Sequence, residues 1–117
     1  MQLNGKVFIP INTSNLHWTL LLFDIEKKYF SHYNSMQPQK GAATTDCYRE
    51  DTLQMKTFIE DIIKQWSPKY LENTAPTLPF IVEDTPQQGD TTLDCKIIVC
   101  YLIDKLTTDQ GYNKKLS

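Results

Sequence analysis

The sequence predicts one α+β domain in which a small mixed sheet is flanked by helices. Short apolar runs alternate with turn-forming clusters, and two longer segments repeat apolar residues at helical spacing. The length of 117 residues is enough for one domain with a buried core. The formal net charge of −2 gives no basis for a nucleic-acid or membrane surface, so we expect neither among the partners.

Three strands are predicted in the first third of the chain. Residues 6–11, KVFIPI, form a β-rich run that ends at the turn cluster NTSN. Residues 18–24, WTLLLFD, are almost continuously apolar, which is typical of a strand buried on both faces at the centre of a sheet. Residues 29–34, YFSHYN, follow a short polar turn, so the second and third strands are expected to form an antiparallel hairpin.

The rest of the chain predicts two helices and one further strand. Residues 51–66 space apolar side chains three and four positions apart, as a helix with one apolar face does. The residues of that face are Met55, Ile59, Ile62, Ile63 and Trp66. Residues 80–84, FIVED, predict a short strand. Residues 93–106, LDCKIIVCYLIDKL, are apolar nearly all round, which predicts the buried helix of the domain, with Cys100 in the core.

Cys95 is the residue that most invites a chemical interpretation, because a loop containing glycine meets the predicted helix there. Unsatisfied backbone N–H groups and the helix macrodipole favour a thiolate at such a position. A nucleophilic cysteine also needs a general base, and His17 at the edge of the central strand is a candidate. Asn34 is a candidate for orienting the imidazole. The loop residues Gln87 and Gln88 are candidates for donating an amide N–H to an oxyanion.

Each of these residues also has a structural interpretation. A histidine on a strand is most often a packing residue, Asn34 before Ser35 fits a turn, and a Gln-Gln pair in a loop is most often solvated. His32 is expected to pack or to lie on the surface, and Cys47 has no assigned role. No cysteine or histidine spacing fits zinc, so neither a metal nor a cofactor is expected. Three cysteines and an N-terminus without a signal-peptide pattern predict the nucleus or the cytoplasm.

Several short motifs occur in the order found in a known family. VFIPIN precedes HW, an apolar strand follows, and then come YNS, PQQ and DC ahead of the second helix. Over residues 6–106 this order resembles the catalytic domain of the ubiquitin-like-protein (SUMO) cysteine proteases, the Ulp1/sentrin-specific protease family. The resemblance implies a papain-like cysteine proteinase fold. It assigns residues 1–117 to the C-terminal part of the family domain, lacking the N-terminal helical lobe.

The resemblance assigns four catalytic roles and one substrate contact. They are His17 as general base, Asn34 as orienting residue, Cys95 as nucleophile, Gln88 as oxyanion donor and Trp18 as the tryptophan beside the site. The implied reaction is hydrolysis of the peptide or isopeptide bond after the C-terminal di-glycine of a SUMO-type modifier. The implied partners are therefore that modifier and its conjugates.

The sequence departs from the family pattern at three places. Asn34 stands where the family usually has aspartate, and Lys96 follows the cysteine where the family has glycine. The segment from Gln88 to Cys95 is one residue longer than the family spacing. These departures leave two other classes open. One is a catalytically inactive protease-like fragment or a module that binds a ubiquitin-like protein, and the other is a cysteine hydrolase with a different substrate class.

Overall fold

The computed structural model describes residues 5–13, 17–36, 49–74, 77–88, 94–108 and 111–112. The elements follow in the order β1 (Lys6–Thr13), β2 (His17–Asp24), β3 (Tyr29–Tyr33), α1 (Arg49–Trp66), a 3₁₀ helix (Pro68–Leu71), β4 (Phe80–Glu83) and α2 (Cys95–Thr107). The predicted order of strands and helices is confirmed, although α1 begins before residue 51. No helix within the described ranges is both long enough and apolar enough to cross a membrane.

The four strands form one mixed sheet in the order β1-β2-β3-β4. β2 pairs antiparallel with β1 on one side and with β3 on the other, while β4 lies parallel to β3. Every residue of β2 except Trp18 is buried. The almost continuously apolar sequence of this strand thus matches its place inside the sheet, because both of its faces are covered.

Alternate residues of β2 pack against different helices, since successive side chains of a strand point to opposite faces. Leu21 belongs to the core on the α1 side, where Ile63 of the helix is also buried. Leu20 belongs to the core on the α2 side, together with Leu102. The central strand is therefore held between two helices.

The two helices bury narrower faces than their sequences predict. On α1, Ile63 is buried, but Ile62 is 40% exposed and Trp66 is 77% exposed. On α2, the buried residues are spaced three and four apart, and Cys100 lies off that stripe. The prediction that Cys100 is in the core is wrong, because the thiol is exposed. A helix on the outside of a sheet buries one stripe and leaves the rest in solvent.

A buried ion pair within α1 includes the carboxylate that contacts the chain entering β4. Lys56 Nζ lies 3.0 Å from Glu60 Oε1, and both residues are buried. The other carboxylate oxygen of Glu60 accepts the backbone N–H of Leu78 at 2.9 Å. Each of the two buried charges thus has a partner of opposite charge, and an unpaired charge in the interior would be costly. The contact fixes the path into β4, and the loop that follows β4 reaches the candidate site.

Candidate active site

His17 and Asn34 meet at the end of the β2–β3 hairpin. His17 is the first residue of β2, and Asn34 directly follows β3. The antiparallel register brings the two ends together, and His17 Nε2 lies 2.7 Å from Asn34 Oδ1. His17 is 2% exposed and Asn34 is fully buried. The hydrogen bond is therefore shielded from competing water, which strengthens it.

The hydrogen-bond partners of Asn34 fix the tautomer of His17. The backbone N–H of Met36 donates to Asn34 Oδ1 at 2.9 Å, so this atom is the carbonyl oxygen of the side-chain amide. A carbonyl oxygen only accepts, and His17 Nε2 must therefore carry the hydrogen. The neutral ring then has its lone pair at Nδ1. Nδ1 is the nitrogen that can take a proton from a nucleophile.

Cys95 is brought to the same end of the sheet as the first residue of α2. Asp94 caps the helix, because its Oδ1 accepts the backbone N–H of Ile97 at 3.1 Å. The backbone N–H of Trp18 donates to the Cys95 sulfur at 3.3 Å. Because Trp18 follows His17 directly, this contact places the sulfur beside the strand end that carries the imidazole, across 77 positions of sequence.

The two loop glutamines make different contacts. Gln87 Nε2 donates to the backbone oxygens of Asn34, at 3.0 Å, and Thr85, at 2.8 Å. The amide NH₂ group of Gln87 thus donates to two backbone oxygens of the protein. Gln88 donates its backbone N–H to Ser35 O at 2.9 Å, and its Oε1 accepts from the Ser35 hydroxyl at 3.2 Å. Within the described residues the Gln88 Nε2 group donates to no acceptor, which makes Gln88 the candidate oxyanion donor.

Of the other residues singled out in the sequence, Trp18 and Lys96 lie next to Cys95. Trp18 is half-buried and packs against the core on the α2 side, next to the Cys95 sulfur. Lys96 is exposed at the second position of α2. His32 is buried and its Nε2 lies 3.2 Å from the Thr52 hydroxyl of α1, which is a packing role. Cys47 lies outside the described residues, as does the segment 89–93 that joins Gln88 to α2.

Sequence patterning missed the backbone contacts that hold the site. Asn34 makes the contact expected of a turn residue and also contacts His17, because its Oδ1 accepts from Met36 N–H and from His17 at once. The pairing of residues 34–35 with residues 87–88 depends on the parallel arrangement of β3 and β4, which bring those segments together. The residue types alone left Gln87 and Gln88 as equal candidates, and only the family resemblance preferred Gln88.

Thiol-dependent hydrolysis needs a sulfur nucleophile and a nearby imidazole whose tautomer is held by a third group. The strand ends and the start of α2 bring side chains of these types to one end of the sheet. The model of the Ulp1 protease family, C-terminal catalytic domain, matches residues 4–116. The chain therefore belongs to the Ulp1 protease family.

Solved structures show the same fold. Structures of the SUMO protease Ulp1 with its catalytic cysteine oxidised to a sulfonic or a sulfenic acid match with a TM-score of 0.64. The C-terminal Ulp1 protease domain in complex with Smt3, the yeast orthologue of SUMO, matches with a TM-score of 0.62. In each case the identity is 24% over 91% of this chain, and the chain spans 43% or 42% of the length of those proteins. No curated protein sequence matches the chain.

Proposed function

We propose that this chain is a cysteine-peptidase domain that hydrolyses the bond after the C-terminal di-glycine of a SUMO-type modifier. The observation that carries the proposal is the 2.7 Å hydrogen bond from His17 Nε2 to Asn34 Oδ1. The residue after His17, Trp18, donates its backbone N–H to the Cys95 sulfur. Membership of the Ulp1 protease family supports the reaction class. The complex of the related Ulp1 domain with Smt3 supports a SUMO-type modifier and its conjugates as partners.

The first half of the reaction forms a thioester. His17 Nδ1 takes the proton of the Cys95 thiol, and the sulfur attacks the carbonyl carbon of the terminal glycine. The carbonyl oxygen becomes negatively charged and accepts hydrogen bonds from Gln88 Nε2 and the Cys95 backbone N–H. That N–H belongs to the first turn of α2, where backbone donors have no acceptor within the helix. The C–N bond then breaks, and His17 gives its proton to the leaving amine.

The second half releases the modifier. Water attacks the thioester carbonyl and loses a proton to His17 Nδ1, and the same two donors hold the second oxyanion. The C–S bond breaks, the sulfur recovers its proton from His17, and the modifier leaves as a carboxylic acid that loses its remaining proton to solvent. Throughout the cycle Asn34 Oδ1 stays on Nε2, so it orients the neutral ring and stabilises the imidazolium. We further propose that Trp18 contacts the thin di-glycine tail and that the protein works in the nucleus or the cytoplasm.

A second candidate function is a module that binds a SUMO-type modifier without cleaving it. Lys96 favours this alternative, since an exposed long side chain follows Cys95 directly, and a substrate backbone must approach closely there. The two functions make different demands on the thiol. Hydrolysis requires Cys95, whereas binding tolerates its replacement.

The experiment that separates them uses SUMO-type and ubiquitin modifiers with a C-terminal electrophile. We expect a covalent adduct of the chain with the SUMO-type probe that is lost in Cys95→Ala. Cys100→Ala is the matched control, because Cys100 is also a free cysteine on α2 and is exposed. Tight binding without an adduct would establish the binding module instead. Neither binding nor an adduct, or an adduct that persists in Cys95→Ala, would refute the proposed peptidase.

A further inference from the structure

The loop that follows β4 holds two successive peptide groups at the end of β3. Asn34 O accepts from Gln87 Nε2 at 3.0 Å, and Ser35 O accepts from the Gln88 backbone N–H at 2.9 Å. Gln87 Nε2 also donates to Thr85 O at 2.8 Å, so its amide bridges its own loop and the strand end. Because both acceptors are carbonyl oxygens, the group facing them must be the NH₂ group, and the orientation of the Gln87 amide is fixed.

We propose that Gln87 is a positioning residue for the catalytic imidazole, acting through the peptide group of Asn34. This inference rests on the proposed function. Asn34 has a short side chain, so the position of its Oδ1 follows the position of its backbone closely. Gln87 donates a hydrogen bond to the backbone oxygen of Asn34, and the side-chain oxygen of Asn34 lies 2.7 Å from His17 Nε2. A displacement of about 1 Å in such a site can cost of order 100-fold in rate.

The hydrogen bond from Gln87 to Asn34 O also links the loop that carries Gln88 to the residue that contacts His17. Gln88 is the next residue after Gln87, and Asn34 lies between Gln87 and His17 in the chain of hydrogen bonds. The loop therefore places the candidate oxyanion donor and the orienting amide relative to one another. A glutamine suits this role, since a carboxylate in its place would set an oxygen against two carbonyl oxygens and repel both.

The first test measures kcat and KM on a SUMO-type modifier with a C-terminal fluorogenic amide. We expect Gln87→Ala to lower kcat about 10-fold, the effect of losing one or two neutral hydrogen bonds. Gln87→Glu should lower kcat further, because repulsion replaces attraction. KM should stay within about twofold in both variants, because the Gln87 amide is engaged by backbone oxygens of the protein and the proposed role is to position Asn34. Gln65→Glu is the control for the added charge, since Gln65 is exposed on α1. Unchanged kcat in Gln87→Glu would overturn the proposal.

A double variant distinguishes positioning from a purely structural role. In an Asn34→Ala background the backbone oxygen that Gln87 holds is still present, so Gln87→Ala should still lower the unfolding midpoint. Its effect on kcat should disappear, because the side chain through which Gln87 acts is gone. An equal fold-loss of kcat in both backgrounds would show that Gln87 acts on the fold and not on the imidazole.

A third measurement does not depend on turnover. If the wild-type chain does not turn over the modifier, the proposed function fails, and the ring NMR signals of His17 then decide the role of Gln87. The Nε2–H resonance reports the hydrogen bond to Asn34 directly. Gln87→Glu should shift it, and Gln65→Glu should not. A His17 resonance at the same position in wild type and Gln87→Glu would refute positioning by Gln87.

Discussion

Replacing Asn34 with alanine removes the oxygen that accepts from His17 Nε2 and from the backbone N–H of Met36. The His17 Nε2–H is then left in the interior without this acceptor. An unsatisfied buried donor costs about 1–3 kcal/mol, and the lost bond to the Met36 N–H costs about 1 kcal/mol more. We therefore expect the free energy of unfolding to fall by about 2–4 kcal/mol.

The same substitution acts separately on catalysis. When the imidazole takes a proton it becomes a cation, and a hydrogen bond to a charged group contributes about 1.5–3 kcal/mol. Loss of the Asn34 oxygen from Nε2 should therefore lower kcat by about 10- to 160-fold. Asn34→Asp keeps an oxygen at the same place, so it should preserve the bond to His17 and most of the activity.

The assay combines two measurements on each variant. Urea unfolding is followed by tryptophan fluorescence, and modifier hydrolysis is measured where the variant remains folded. Asn12→Ala is the control, because Asn12 is exposed on β1 and the same change there removes nothing from the interior. An Asn34→Ala protein with wild-type stability and wild-type kcat would show that the buried hydrogen bond to His17 has no role in fold or function.

The remaining predictions test the interior and the entrance of the site. Glu60→Ala should lower the free energy of unfolding by about 3–5 kcal/mol, because it leaves the buried Lys56 unpaired. Asp61→Ala is the control: it removes an exposed pair with Lys64 and should change the free energy of unfolding by less than about 0.5 kcal/mol. Urea titrations measure both changes. Lys96→Gly should raise the rate of modifier cleavage several-fold if the lysine crowds the entrance, and an unchanged rate would exclude crowding. Burial raises the pKa of Tyr70 to about 12, so the unfolded chain loses this proton at lower pH than the folded chain does. Stability should consequently fall as pH rises above about 10, and less steeply in Tyr70→Phe, as thermal unfolding at several pH values can show.

Much of the fold was predictable because the relevant signals are local. The apolar run of β2 indicated a strand covered on both faces, and the short polar turn after it indicated the hairpin with β3. The position of Cys95 at the start of α2 was predictable as well, because loop residues end and helical spacing begins there. The motif order also singled out His17 and Asn34. Their contact follows from the hairpin itself, which returns the chain to its starting edge.

Only the tertiary structure decided which surfaces the helices bury and which groups face each other. Helical spacing predicts an apolar face but not how much of it is covered, so Cys100 was predicted to lie in the core although its thiol is exposed. The contacts of Gln87 and Gln88 depend on backbone carbonyl oxygens more than fifty positions away in sequence. Hydrogen-bonding partners of this kind are set by how strands and loops are brought together in space, and no local propensity encodes them.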